Sequence, residues 1–365
     1  MKLVTIRDID LDNKIILYRA PYDIEPVDGI LPDLSRLTAT LPTLRYLLDH
    51  HCSIAILTYV GRPGGQIIPG LSTSFHAEAL SKLLNFPVRH TDKSFNETPK
   101  TNEILMLENV RFFPEEDKND DNFAKKLTTG FDLCVFDAFP QAHRTQSSTT
   151  GIEKHLQTVA GLYLEQEHLH LTKLTENPTH PFTVIIGGAK ITDKVDAIDN
   201  LLNLADHLLI GGATANIFLA ATGMDMKNSY LTDSLNPKDS ITIAKNVLAK
   251  DTSHKIVLPS DLIWENDAAI DLGPQTINTF SKLISSSETV FWNGPLGKTD
   301  LASKSIIETL AGQSSIRIIA GGDTIALIDK YSSPDKFTYL SLAGGATLEF
   351  LASHPLPALT PLFFR

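Results

Sequence analysis

Cysteine is nearly absent from this chain: Cys52 and Cys134 are the only two in 365 residues. Two cysteines do not make a disulfide framework, so a reducing cytoplasm is the expected setting. Basic charge is also in deficit, with 32 Lys+Arg against 43 Asp+Glu and a formal net charge of −11. That balance argues against nonspecific nucleic-acid binding and against an anionic membrane surface, while leaving room for a local basic pocket. A long apolar run is missing too. The longest uncharged stretch, 208–224, is broken by Gly211, Gly212 and Gly223 and carries Thr214, Asn216 and Thr222. It is too short and too polar to span a bilayer. The N-terminal stretch MKLVTIRDIDLDNK has charges throughout and no apolar segment, so no secretory signal is expected.

What is present is ordinary in bulk: 42% hydrophobic and 21% charged residues over a length that fits two domains. Short apolar runs predict strands at 14–18, 53–58, 104–107 and 133–136, and again at 183–186, 207–210, 255–258, 289–292, 316–320 and 339–342. Helical patterns separate them. Leu37, Leu41, Leu44 and Leu48 share one face after Asp33, with Pro42 inside the pattern and a kink expected there. Residues 75–84, 122–128 and 162–174 also read as helices. The last of these runs out at Pro178 and Pro181, which end a helix and mark a hinge or linker. Strands alternating with helices on both sides of that break predict an α/β protein with two doubly wound parallel sheets.

In such sheets ligands bind beyond the carboxyl ends of the strands. In the first half those positions hold Arg62, Arg111 and Arg144. In the second half they hold Gly187-Gly188, Gly211-Gly212, Asn293-Gly294-Pro295, Gly321-Gly322-Asp323-Thr324 and Gly344-Gly345. Arginines suit a multiply anionic small molecule through bidentate hydrogen bonding. Glycine turns at helix starts suit the phosphates of a nucleotide. The most pointed stretch is 184–194, VIIGGAKITDK, a strand that breaks on Gly187, Gly188 and Ala189 and turns into a helix expected to carry Lys190 and Lys194 on one face. It is neither a Walker A loop nor a G-x-G-x-x-G fingerprint. Two readings fit it: a phosphate site, or a plain turn with two solvated lysines. Arg62 and Arg144 fit an anion site or a solvated loop, Arg111 an anion site or an ordinary salt bridge, and Asp323 a ligand-binding role or a helix N-cap. Arg36 at a helix start runs against the helix dipole, which favours a special role.

Nearly the whole chain resembles the phosphoglycerate kinase family. The stretches that carry the resemblance stand in the family's order: LPTLRYLLDH after Arg36, VGRPGG, LENVRFF, DAFPQAHRTQSST, IGGAKITDK, GGATANIFLAATG, DLGPQT, WNGPLG, AGGDT and AGGATLEFL. The resemblance implies two Rossmann-like domains joined by a hinge helix. Residues 1–162 with the tail 354–365 would bind 3-phosphoglycerate or 1,3-bisphosphoglycerate, 163–181 would form the hinge helix and linker, and 182–353 would bind ADP or ATP with Mg²⁺. It further implies a cytoplasmic monomer whose partners are these small molecules, with no nucleic acid and no membrane. Position by position, Arg36, Arg62, Arg111 and Arg144 match the basic patch for the acid substrate, with Arg36 the catalytic arginine. Pro21, Tyr22, Asp23, Tyr59, Val60 and Gly61 belong to the same pocket. Lys190 matches the lysine that escorts the transferring phosphoryl group, and Lys194 a nucleotide-phosphate lysine. Gly188, Gly212, Gly273, Asn293, Pro295, Asp300, Gly321, Gly322, Asp323 and Thr324 match nucleotide-site positions, and Asp323 would take the magnesium through the nucleotide.

The chain departs from the family's pattern at identifiable places. Where the family has Arg-x-Asp-Phe-Asn, this chain has Arg19-Ala20-Pro21-Tyr22-Asp23, and where it has His-Leu-Gly-Arg, this chain has Tyr59-Val60-Gly61-Arg62. The second histidine of His-Arg-Ala-His is Gln146, the ribose-binding glutamate is Asp300, and a Thr-Gly-Gly-Gly turn is Leu342-Ala343-Gly344-Gly345. The expected function is phosphoglycerate kinase, the reversible transfer of a phosphoryl group between 1,3-bisphosphoglycerate and ADP. The alternative is a relative that binds nucleotide or a partner without turnover.

Overall fold

Apolar residues run almost unbroken through the short segments Ile15–Arg19 (β1), Ser53–Leu57 (β2), Ile104–Leu107 (β4) and Leu133–Phe136 (β5), and Val88–Thr91 (β3) and Thr158–Ala160 (β6) flank them. Such runs need cover on both faces, which parallel sheets provide. The computed structural model describes residues 2–92, 95, 97–231 and 236–363. In it these six strands form one sheet in the order β3-β4-β2-β1-β5-β6, parallel throughout. Strand alternation sends Ile16, Tyr18, Ile54, Ile56, Ile104 and Met106 to one core with helices Ser35–Asp49 (α1) and Ser74–Leu84 (α2). It sends Leu17, Ala55, Leu57, Leu105 and Leu107 to another with Asp121–Thr128 (α3). Each fully buried aliphatic side chain contributes roughly 1.5–3 kcal/mol to holding these layers together.

By its contacts the chain divides into two compact units, Met1–His168 with Pro355–Arg365, and Leu169–His354. In the first, Leu3 bridges Phe363 and the Val4 amide donates to Leu362 O at 2.7 Å, so the two ends of the chain meet there. The helix Leu162–Glu176 (α4) runs from the first unit into the second. Its start is set by Asp137. The Asp137 carboxylate accepts the Leu164 amide at 2.8 Å, the Tyr18 hydroxyl at 2.8 Å and the Thr43 hydroxyl at 2.6 Å, while Thr43 accepts the Leu162 amide at 3.0 Å. A carboxylate on exposed N–H groups is what a helix N-terminus favours. Burial pushes that carboxyl up to about 6.

The second unit repeats the plan. Strands Phe182–Ile186 (β7), His207–Ile210 (β8), Ile256–Val257 (β9), Thr289–Asn293 (β12), Ile316–Ala320 (β13) and Tyr339–Ser341 (β14) form a parallel sheet in the order β14-β13-β12-β7-β8-β9. An antiparallel pair, Leu262–Glu265 (β10) with Ala268–Leu272 (β11), stands apart from it. The helices are Val195–Leu204 (α5), Gly212–Ala221 (α6), Pro237–Lys250 (α7), Pro274–Ser285 (α8), Leu301–Ala311 (α9), Gly322–Tyr331 (α10) and Gly345–Leu351 (α11). No helix among the described residues is long and apolar enough to cross a membrane.

The structure corrects the sequence reading in two ways. Lys190 and Lys194 do not ride on a helix: α5 begins at Val195, with Lys194 as its N-cap. The Gly187 and Gly188 amides donate to Asn293 O and Pro295 O at 2.8 and 2.7 Å, which holds the chain against the turn after β12. Residues 189–194 are then needed to turn back before a helix can start. Strands β3, β6, β10 and β11 were not expected. The first two are short edge strands, and Val88–Thr91 has only one apolar residue. The hairpin did leave a trace, because its tip, Asn266-Asp267, has both residues at positive φ, +50° and +62°, a turn that Asn and Asp favour.

Candidate functional site

Parallel pairing of β4, β2, β1 and β5 brings their carboxyl ends to one edge of the first sheet. The segments that leave that edge carry Pro21, Tyr22 and Asp23 after β1, Tyr59 to Arg62 after β2, Arg111 after β4 and Arg144 after β5. Arg36 joins them from the first turn of α1. Several are bonded into one cluster. Arg36 Nη1 donates to Asp23 O at 2.8 Å, and the Gly61 amide donates to Asp23 Oδ1 at 2.9 Å. Arg111 Nη1 donates to Gly61 O at 2.7 Å, so Gly61 is held at both its amide and its carbonyl. Gly61 has φ +64°, and a Cβ there would lie 3.0 Å from Glu25 Oε1, so no larger residue fits without a shift.

Charge is unevenly paired at this edge. Arg111 faces Asp117 at 3.5 Å. Arg36 bonds only a backbone carbonyl, and the side chains of Arg62 and Arg144 make no ion pair or hydrogen bond among the described residues. Three cations without carboxylates at one sheet edge are suited to an anion. Beside them, burial and the neighbouring Arg144 hold His143 down to about 4, so it is a neutral imidazole at ordinary pH.

Six residues assigned to the pocket from sequence are buried in the fold, Gly61 and Arg111 among them. The others are Pro21, Tyr22, Tyr59 and Val60, with Tyr59 2% exposed. The Tyr22 hydroxyl pairs with Thr40 at 2.7 Å, and its ring stacks on His76. Two residues that sequence reasoning passed over carry much of the local order. Asn109 accepts the Val60 and Arg111 amides at 3.2 and 3.1 Å and donates to Val60 O and Leu71 O at 2.8 and 3.0 Å. Arg19 is fully buried, donates to Ser148 O and Oγ at 3.1 Å, and stands 5.1 Å from the Tyr59 ring. A buried Asn and a buried Arg at strand ends were the available signals, since neither type is left inside without partners.

In the second unit a cavity of about 620 Å³ opens at the carboxyl ends of β7, β8 and β12. Gly188, Ala189, Gly212, Ala213, Pro295, Leu296 and Gly297 form part of its lining, with Asp323 from the first turn of α10. Its other wall is Tyr230, Leu262 and residues 268–272, supplied by the unexpected hairpin and the loop before it. The glycine turns beneath it are packed backbone to backbone. A Cβ on Gly187 would lie 2.2 Å from Pro295 O, and one on Gly212, at φ +60°, 2.6 Å from the same atom. The cavity thus receives the N-terminus of α10, where N–H groups without partners among the described residues favour phosphate, while at the start of α6 the Gly212 and Thr214 amides already donate to Leu296 O and Gly188 O.

The remaining nucleotide positions distribute around this cavity. Lys194 is 8% exposed, and its ammonium donates to Lys190 O at 3.1 Å close to the Gly188 turn, while Lys190 itself is exposed on the loop. Asn293 and Thr324 are buried ties: Asn293 donates to Ala320 O at 3.1 Å, and Thr324 Oγ1 accepts the Gly294 amide at 2.8 Å. Gly321, at φ +95°, and Gly322 start α10. Gly273 caps α8 and packs on the Asp261 carboxylate. Asp300 caps α9 and binds Lys330 and the Tyr331 hydroxyl, both at 2.6 Å. Neither Gly273 nor Asp300 lines the cavity. Lys298, passed over in the sequence, does, and so does Asp271, whose carboxyl is raised by burial and bonded to Thr299. Among the described residues no group of three His, Cys, Asp or Glu side chains could hold a metal ion by itself.

Against known proteins, residues 6–354 match the family model described as phosphoglycerate kinase. A phosphoglycerate kinase of Roseiflexus sp. (strain RS-1) is 36% identical, covering 98% of each chain. One from Fervidobacterium nodosum is 34% identical over 99% of this chain and 98% of its own. Among solved structures, phosphoglycerate kinase from Coxiella burnetii superposes with a TM-score of 0.86 at 29% identity, covering 99% of both chains. That from Pyrococcus horikoshii OT3 gives 0.86 at 27% identity over 99% of this chain and 98% of that one. With its arginine-rich sheet edge in one unit, its glycine-floored cavity in the other and a family match that spans both, the chain belongs to the phosphoglycerate kinase family.

Proposed function

We propose that this chain catalyses the reversible transfer of a phosphoryl group between 1,3-bisphosphoglycerate and ADP, giving 3-phosphoglycerate and ATP. The reading is carried by one observation: an anion-suited arginine edge in the first unit is matched by a glycine-floored, helix-N-terminal cavity in the second. The acid substrate takes Arg36, Arg62, Arg111 and Arg144, and the nucleotide takes the cavity with Lys194, Gly188, Gly212 and Asp323. The linker and helix 163–181 act as the hinge. The chain works as a cytoplasmic monomer on these small molecules.

The chemistry asks little of proton transfer. A β-phosphate oxygen of ADP attacks the acyl phosphorus, a P–O bond forms, and the P–O bond to the carboxyl carbon's oxygen breaks. The attacking oxygen is already ionised at neutral pH and the departing one leaves as a carboxylate, so no general base or acid is required. The neutral His143 fits that picture. What the site must supply is cationic charge along the path and fixed geometry. Arg36 and Lys190 are the residues for that charge. Magnesium would arrive with the nucleotide and neutralise charge on its phosphates, which needs few protein ligands. Asp323, exposed at the cavity in the first turn of α10, fits that single-carboxylate role.

A coupled assay with 3-phosphoglycerate and MgATP tests the reading. Magnesium-dependent turnover that falls away in Arg36→Ala and Lys190→Ala is expected. Pure, folded protein that binds MgADP by calorimetry without turning over would overturn it.

A further inference from the structure

Tyr59 stands where the family's pattern has a histidine, yet its side chain does not reach the surface. Its ring lies beneath the Arg111 guanidinium, with Cζ 3.6 Å from the ring centroid, and Arg19 approaches to 5.1 Å. At 3.6 Å the guanidinium rests on the ring face at van der Waals contact, and the site is desolvated: Tyr59 is 2% exposed and Arg111 5%. Cation–π attraction is strongest under those conditions. The rest of Arg111 is fixed from the side. Nη1 donates to Gly61 O, and Nε, buried from solvent, faces Asp117. Nη2 makes no hydrogen bond among the described residues and is not wholly shut off from solvent.

We propose that Tyr59 is a positioning residue: its ring replaces a hydrogen-bonding side chain as the bed that holds the Arg111 guanidinium plane, so that Nη2 is presented to the anionic substrate in one orientation. The proposal rests on the acid-substrate reading of this edge. Three observations make the ring face the operative feature. The ring contributes apolar packing to the core with Leu57, Leu107 and Val110. The Asp23 carboxylate accepts the Gly61 amide and makes no ion pair with Arg111 among the described residues. Asn109 then fixes the backbone on both sides of the stack, accepting the Val60 and Arg111 amides. A guanidinium held in one plane loses little entropy on gripping an anion, which is how preorganisation raises affinity.

The test uses the full chain and calorimetric titration of 3-phosphoglycerate and, separately, MgADP. Tyr59→Phe keeps the ring and is expected to bind 3-phosphoglycerate within about twofold of wild type. Tyr59→Leu, or Tyr59→Met if the first does not fold, is expected to weaken 3-phosphoglycerate about tenfold while leaving MgADP unchanged. A merely structural role would weaken both ligands together or neither, and either result overturns the proposal, as does Tyr59→Phe behaving like Tyr59→Leu. The Arg111 Nε–H resonance, assigned by its loss in Arg111→Lys, gives a readout that needs no substrate. It is expected upfield in wild type and Tyr59→Phe by ring current, and at an ordinary position in Tyr59→Leu. An unshifted wild-type resonance overturns the positioning role. Wild type that shows the shift but binds no 3-phosphoglycerate sinks the acid-substrate reading, and with it the role assigned to Tyr59.

Discussion

The carboxylate of Asp23 accepts the amide of Gly61 at 2.9 Å, and this bond joins the turn after β1 to the turn after β2. The same residue's carbonyl accepts Arg36, and the Gly61 carbonyl accepts Arg111. Asp23 therefore ties the turn that accepts Arg36 to the turn that accepts Arg111. Asp23→Asn keeps an acceptor oxygen and is expected to leave the 3-phosphoglycerate KM within a few-fold of wild type. Asp23→Ala leaves a part-buried amide unpaired, which costs about 1–3 kcal/mol. It should raise that KM at least tenfold with the MgATP KM unchanged. Steady-state kinetics with each substrate varied in turn checks both.

Arg36 and Lys190 are assigned the charge that follows the phosphoryl group. Their removal should act on kcat more than on binding, because charge stabilisation develops in the transition state. Arg36→Ala and Lys190→Ala are each expected to lower kcat by roughly 10²–10³. Equal loss in KM with kcat intact would reassign them to ground-state binding.

The two aspartates at the ends of the nucleotide region should behave differently. Asp323 lines the cavity, whereas Asp300 is bonded to Lys330 and Tyr331 and lies outside its lining. Asp323→Asn should weaken ADP in the presence of magnesium and change little in its absence. Asp300→Asn is expected to leave MgADP affinity within about twofold, since an exposed ion pair contributes little. Titration calorimetry with and without magnesium separates the two. A large loss from Asp300→Asn would restore it to the nucleotide site.

Gly212 tests the close packing beneath the cavity. Its φ of +60° and the 2.6 Å approach to Pro295 O leave no room for a methyl group. Gly212→Ala should destabilise the protein by roughly 1–3 kcal/mol and weaken MgADP, read by chemical denaturation and calorimetry. Gly64, which has open space around it, is the control position.

His76 gives a pH dependence with a definite sign. Burial holds it down to about 4 from an ordinary 6.5. The unfolded chain takes up the proton first, so the fold loses stability as pH falls from 6.5 through 4, and the contribution is complete above 6.5. The slope in that window is about 1.4 kcal/mol per pH unit. Urea denaturation at pH 7 and pH 5 should therefore show wild type losing about 2 kcal/mol more than His76→Phe. Equal losses would mean that His76 titrates in the fold as it does in the unfolded chain.

Strand–helix alternation, the break at Pro178 and Pro181, and arginines in one half against glycines in the other were legible in the residues themselves. Periodicity and turn chemistry are local properties, and they suffice for two parallel sheets and for the strand ends where ligands bind. What the chain could not declare is decided by partners far away in sequence. Asn109 holds Val60 across 49 positions, and Arg19 holds Ser148 across 129. Asp300 is drawn off by Lys330 across 30. Tyr59 reads in the sequence as a changed pocket residue and lies in the fold as a buried platform, because the side of β2's exit it faces is set by sheet register and by Arg111. Lys190 and Lys194 keep their identity but lose their helix, because hydrogen bonds to the turn after β12 delay its start. Local patterning determines which elements form and where they end. Only the tertiary pairing decides which side chains at those ends face a ligand and which brace the ones that do.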